Sequence, residues 1–190
     1  MSDAFPLFRR LIGEAFDHLP AAVRQVHSPN GTLRTAGRAE VVGAGTPAAR
    51  LLCLLAGLPR PGRDVPVEVT FTPVGRAEHW RRRFSSRRYA SIMTAGDGAD
   101  AGRLIEHFTP LFALVFRLEA RADGLHWQVE RWRFVGLPLP AWTTPRIHAV
   151  EADQDGRFVF DVRVAFPLIG PVVDYRGWLI SVGDGTALRR

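Results

Sequence analysis

The chain has 190 residues, of which 46% are hydrophobic and 23% charged, and this balance is typical of a single globular domain. Its 25 basic residues are all arginine, which excludes mechanisms that need a lysine, such as Schiff-base catalysis or a P-loop. Cys53 is the single cysteine, so an internal disulfide and a cysteine-based zinc site are excluded as well.

The first predicted elements are helical. Apolar residues at three-and-four spacing predict an amphipathic helix over 5–27, divided into two pieces at Pro20. A strand is predicted over 33–42, where alternation is patchy. Thr46 and Pro47 then predict the start of a helix over 46–57, because threonine caps helices well and proline suits the first helical position.

From residue 65 onwards the sequence predicts a series of short, consecutive β-strands. Val67, Val69 and Phe71 alternate with polar residues, and this period of two indicates one buried face and one wetter face. The predicted strands are 65–73, 77–84, 87–94, 103–108, 111–120, 125–135, 146–152, 157–166 and 172–182. Asp97-Gly98, Asp123-Gly124 and Asp155-Gly156 are hairpin signals between them.

This order predicts an α+β fold that is mainly antiparallel β: a curled sheet or up-and-down β-barrel, with the 46–57 helix as a lid or plug. A helix-grip fold is the rival, but 183–190 is too short for its long C-terminal helix. We expect a single domain over 1–190, with a helical preface at 1–30, a β-rich core at 31–183 and a tail at 184–190.

Two sequence motifs suggest functions that their context does not favour. Gly43–Ala48 matches the dinucleotide fingerprint G-x-G-x-x-A, but no alternating helices follow to build a doubly wound sheet. The basic and aromatic stretch 80–89 meets only the electrostatic criterion for nucleic-acid binding. We therefore expect neither a nucleotide cofactor nor a nucleic-acid partner, and the scattered histidines predict no metal site.

The most suggestive side chains lie on strand faces. Trp80, Arg82 and Phe84 share one face, so Arg82 points inward if the aromatic rings do, and a buried arginine needs a carboxylate or an anionic ligand. Glu130 is the expected carboxylate, because the alternation places it on one face with Trp132. A purely structural pair of this arginine and glutamate is the favoured reading, because structural ion pairs often resemble functional sites.

Tyr175 completes the predicted ligand-binding set of Trp80, Arg82, Phe84, Glu130 and Trp132, since it shares an apolar face with Gly177, which leaves room there. An interior walled by aromatic rings with a few polar groups is typical of a small-molecule site.

The order of several segments resembles the bacterial domain-of-unknown-function family four-one-six-six. The resembling segments are 19–27, 58–59 followed by 65–71, 80–84, 133–140 and 175–179. Members of that family often follow a saccharopine-dehydrogenase-like or other nicotinamide-dependent domain in one polypeptide. The resemblance implies no catalytic residues, and it implies an accessory or ligand-binding module that works beside an oxidoreductase.

The sequence therefore favours a β-barrel that binds a small apolar or amphipathic molecule. The alternatives are an isomerase or cyclase that uses the same cavity through Arg82 and Glu130, and a structural or dimerising module. The first residues lack the pattern of a secretion signal, and no apolar run approaches the ~18–20 residues of a membrane span. We expect a cytoplasmic protein without a transmembrane segment.

Overall fold

A closed ten-stranded antiparallel β-barrel forms the body of the protein, as seen in a computed structural model that describes residues 5–109 and 111–182. The α-helices are α1 (Leu7–Ile12), α2 (Ala21–Val26) and α3 (Pro47–Leu55), and short 3-10 helices span Gly13–His18, Gly98–Asp100 and Ala141–Thr143. The strands are β1 (Leu33–Val42), β2 (Gly62–Val74), β3 (Ala77–Phe84), β4 (Arg87–Ala95), β5 (Leu104–Thr109), β6 (Phe112–Arg121), β7 (Gly124–Phe134), β8 (Leu137–Pro138), β9 (Arg146–Gln154), β10 (Arg157–Phe166) and β11 (Gly170–Ser181). The predicted tail, 184–190, lies outside the described residues.

The strands follow one another around the barrel almost in chain order. Neighbours run consecutively from β1 to β7, β7 then pairs with β9, and β11 returns to β1. The two-residue strand β8 only extends one edge of β7. All pairings among the described strands are antiparallel, as the alternation and the turns predict, so Gly43–Ala48 is not part of a parallel βαβ unit.

The N-terminal helices plug one end of the barrel, which we call the plugged end. Phe8 of α1 and His27, the residue after α2, are fully buried there, with ring centroids 3.8 Å apart. The Phe8 ring also lies 6.0 Å from Trp80 of β3 and 5.5 Å from Trp127 of β7. Since β3 and β7 are not neighbours in the ring, Phe8 fills the space between facing walls of the barrel.

The opposite end, which we call the α3 end, carries α3 and the connections 43–61, 85–86, 135–145 and 167–169. Thr46 caps α3 as predicted, because its Oγ1 accepts the Ala49 N–H at 3.2 Å. The same hydroxyl donates to the Ile169 carbonyl at 3.1 Å and ties α3 to the turn before β11. Of the α3 residues only Ala49 is fully buried, so the predicted lid or plug packs beside this end and the N-terminal helices form the plug instead.

One predicted hairpin takes a different form. Asp97-Gly98 does not join β4 directly to β5, because a longer connection, 96–103, folds back instead. Its Asp100 is 2% exposed and accepts hydrogen bonds from Arg131 and Arg133 of β7. These charge-assisted bonds outweigh the local preference for a two-residue turn.

No helix among the described residues is long and apolar enough to cross a membrane.

Candidate functional site

Arg82 lies at the centre of a polar cluster inside the barrel. Its guanidinium donates to Glu106 Oε1 at 3.1 Å and to Ser91 Oγ at 2.8 Å. The guanidinium carbon also lies 4.8 Å from the centroid of the Trp80 ring and 5.2 Å from that of Tyr89. The side chains of Arg82 and Glu106 are only 12% and 7% exposed, so this is a buried ion pair with a carboxylate from β5.

Tyr175 of β11 joins this cluster from the facing wall. Its hydroxyl lies 3.3 Å from the hydroxyl of Tyr89, and its ring centroid is 5.3 Å from that of Phe84. Burial raises the pKa of both tyrosines, so the two hydroxyls stay neutral. The structure thus brings together four residues of the predicted site, Trp80, Arg82, Phe84 and Tyr175, and their side chains occupy the interior at this level.

A β-bulge in β7 takes Glu130 out of the predicted alternation. Val129 pairs with Phe116 and Arg131 pairs with Val115, so Glu130 has no opposite residue on β6. One extra residue reverses the faces of all residues beyond it, because side chains alternate with a period of two. A period counted across the bulge therefore assigns Glu130 to the wrong face.

The predicted ion pair between Arg82 and Glu130 is consequently wrong. Glu130 instead accepts a hydrogen bond at 2.7 Å from Arg103, which precedes β5, and both side chains are partly exposed. Trp132 packs against the barrel core, and its indole N–H donates to Thr143 Oγ1 at 2.9 Å. Within the described part of the chain, neither Glu130 nor Trp132 contacts the Arg82 cluster.

The room predicted next to Gly177 is also taken. A β-carbon on Gly177 would overlap the Arg38 backbone of β1 and the ring of Phe160. The glycine therefore serves the close approach of β1 and β11 around the closed ring, not a ligand cavity.

A second buried polar cluster at the plugged end was not found from the sequence. His27 Nε2 lies 2.6 Å from Glu151 Oε2, and Glu78 accepts the Trp80 indole N–H at 3.0 Å. Burial raises the pKa of Glu78, and attraction to His27 partly opposes this. The sequence feature that could have indicated this cluster is Glu151, which alternates onto the apolar face of its strand.

No group of side chains suited to hold a metal ion occurs in the described part of the chain.

A groove of about 500 Å³ lies at the α3 end, between α3, the connection to β2 and the start of β4. Its apolar surface is formed by Cys53, Leu54, Leu58, Pro59 and Pro61. These residues come from one continuous segment that leaves β1, forms α3 and returns to β2. The groove is thus a feature of the barrel end and lies away from the predicted interior site.

Arginines supply the charge of this groove. Arg50, Arg60 and Arg87 line it, and none of them pairs with a carboxylate within residues 5–109 and 111–182. Cys53 lines the groove as a protonated thiol, because burial raises the pKa of this thiol and the thiol donates to the Val172 carbonyl at 3.2 Å. An apolar surface beside uncompensated arginines suits a molecule with an apolar body and an anionic group.

One feature of the sequence, the apolar run 51–55, indicates this groove. Residues 51–55 are consecutively apolar, and one short helix cannot bury side chains that point in all directions. Leu51, Leu54 and Leu55 are indeed each more than half exposed. The apolar run therefore indicates an uncovered surface and not an ordinary buried helix.

Comparison with known proteins gives a match to a protein-family model. No match was found among curated proteins or among solved structures. A family model described as Domain of unknown function (DUF4166) matches residues 19–179, which covers the barrel from the end of the plug to β11. This is the family that the sequence resembled, and the match spans most of the chain, so the protein belongs to the DUF4166 family.

Proposed function

We propose that this protein binds a small amphipathic anion in the groove at the α3 end. The observation that carries the proposal is the composition of that groove. It has a volume of about 500 Å³, its walls are largely apolar, and three arginines line it. This volume falls within the range of roughly 300–1,000 Å³ that is common for small-molecule sites. The ligand's apolar body would lie against Leu54 and Leu58, and its anionic group would meet the arginines.

The arginines favour a phosphate or carboxylate group on the ligand. A guanidinium presents a planar fork of donors that matches either group with two parallel hydrogen bonds. Arg60 and Arg87 make no ion pair among the described residues, so an incoming anion would not have to displace an existing carboxylate. Three like charges around one groove also repel one another, and a bound anion relieves that repulsion.

The test compares matched amphiphiles below their micelle-forming concentrations. We expect dodecyl phosphate to bind, dodecyltrimethylammonium and inorganic phosphate to bind much more weakly, and titration calorimetry to measure the difference. Replacing Arg60 and Arg87 together with glutamine should weaken dodecyl phosphate binding by about a hundredfold or more, since charged hydrogen bonds contribute about 1.5–3 kcal/mol each.

Arg81→Gln is the matched control, because Arg81 is exposed on the barrel wall and does not line the groove. It should leave the dissociation constant unchanged. Equal binding of the cationic and anionic amphiphiles, or binding that survives the loss of both Arg60 and Arg87, would contradict the proposal.

The alternatives from the sequence have less support. An isomerase or cyclase acting through Arg82 and Glu130 loses its geometric basis, since the two side chains bind different partners. A nicotinamide-dependent oxidoreductase as a partner rests on the family resemblance alone and stays a prediction. A dimerising module would use exposed apolar surface, and sedimentation equilibrium tests for it.

A further inference from the structure

Exposed apolar side chains concentrate at the α3 end. They come from α3, from strand ends and from several separate connections, and many are more than half exposed. These residues are Val42, Leu51, Leu54, Leu55, Leu111, Phe134, Val135, Leu137, Trp142 and Leu168. At the plugged end the large exposed apolar residues among those described are Phe5, Val74 and Ile180, and Ile92 is exposed on the barrel wall. An exposed apolar surface of this kind is typical of a site that binds another protein or a membrane.

The connections at the same end contain arginines and no acidic residues, while Glu40, Asp64 and Asp174 lie on the strand ends beside them. No aspartate or glutamate occurs in 43–61, 83–88, 108–109, 111–113, 133–147 or 165–171, the connections and adjoining strand ends on this side. They contain arginines that pair with no carboxylate among the described residues, namely Arg50, Arg60, Arg87, Arg88 and Arg146. Turns at the plugged end, by contrast, carry Asp97, Asp123 and Asp155.

Two turns at the α3 end present apolar side chains where other residues are favoured. Val135 and Leu168 have φ angles of 50° and 66°, in the left-handed region that glycine, asparagine and aspartate adopt most easily. Leu168 is 95% exposed, so no packing within the chain compensates for this conformation. Backbone strain of this kind concentrates at functional sites.

We propose that the α3 end docks on an anionic lipid bilayer. Its apolar side chains would enter the boundary between headgroups and acyl chains, and its arginines would meet the phosphates, as in other interfacial proteins. Tryptophans such as Trp142, which is 69% exposed, favour that boundary. A second copy of the chain is a poorer occupant, because two faces whose connections carry arginines and no acidic residues repel each other. This inference goes beyond the proposed function and does not require a ligand in the groove.

The test is flotation of the full chain with vesicles. We expect binding to equimolar phosphatidylcholine and phosphatidylglycerol, little binding to phosphatidylcholine alone, and weaker binding at high salt. Leu137→Asp combined with Leu168→Asp should lower vesicle binding by about tenfold or more, because two apolar side chains are lost from the bilayer. Both positions are exposed turn or edge residues, so circular dichroism should stay unchanged.

Val74→Asp is the matched control, since Val74 is 49% exposed at the plugged end. It should leave vesicle binding unchanged. Replacing Arg88 and Arg146 with glutamine, with Arg81→Gln as control, should weaken binding by about fivefold for each charge removed near the membrane.

Failure to float with anionic vesicles would overturn the proposal, as would flotation that the Leu137 and Leu168 changes leave intact. Sedimentation equilibrium covers the remaining occupant: a dimer that these changes dissociate, without vesicle binding, would assign the surface to self-association and also overturn the proposal. Leu137 and Leu168 do not line the groove. Binding of dodecyl phosphate to that double variant therefore tests the groove separately from the bilayer.

Discussion

Replacing Glu106 with glutamine should destabilise the barrel strongly, because Glu106 is one partner of a buried ion pair. The side chains of Arg82 and Glu106 are 12% and 7% exposed, and the change leaves the Arg82 guanidinium buried without a carboxylate. Removing one partner of a buried pair costs about 3–5 kcal/mol. Arg82 keeps its bond to Ser91 and its ring contacts, so we expect the lower end, about 3 kcal/mol. For a chain of this size that lowers Tm by roughly 6–12 °C.

Urea denaturation followed by tryptophan fluorescence measures this loss. Glu130→Gln is the control, because its pair with Arg103 is partly exposed and such pairs contribute about 0–1 kcal/mol. The double variant Arg82→Met with Glu106→Leu should recover most of the stability, since a hydrophobic pair avoids the cost of desolvating charge. A larger loss from Glu130→Gln than from Glu106→Gln, or a double variant as unstable as the single one, would refute the assignment of this pair.

Two further changes test the plugged end and the α3 cap. Burial raises the pKa of Glu78, so its contribution to stability is fully present below pH 4.5 and is lost as the pH rises through the raised value. Glu78→Gln, which keeps an acceptor for the Trp80 indole, should therefore raise the urea midpoint at pH 8 and not at pH 4, and an equal effect at both would contradict this. Thr46→Ala should cost about 1 kcal/mol by removing the cap on the Ala49 N–H, while Thr46→Ser should cost much less in the same urea titration.

The local part of the fold was predictable because the rules involved are local. Alternation in 65–73 and 157–166 predicted strands whose observed bounds differ by only a few residues, since burial of one face imposes a period of two. Asp155-Gly156 adopts the left-handed angles of a tight hairpin, and Thr46-Pro47 begins α3, because each depends on backbone geometry within a few residues.

The candidate site was predicted only in part. Trp80, Arg82 and Phe84 lie on adjacent alternate positions of one strand, so their shared face followed from β3 alone. The partner of Arg82 did not follow, because Glu106 is two strands away and the bulge at Glu130 reverses the face counted from Trp132. A single unpaired residue in β7 has no sequence signature of its own, yet it decides which carboxylate enters the barrel.

The sequence by itself determined the strand train, its antiparallel order and the helix that follows the first strand, because propensity, periodicity and turn chemistry act over a few residues. Only the tertiary structure decided which helix plugs the barrel and which end stays apolar. Closing the ring brings Trp80 and Trp127 into edge-to-face contact with Phe8 packed against both, and it leaves the leucines of α3 outside that core. Such contacts join residues far apart in the chain, so they depend on the closed sheet and on no local pattern.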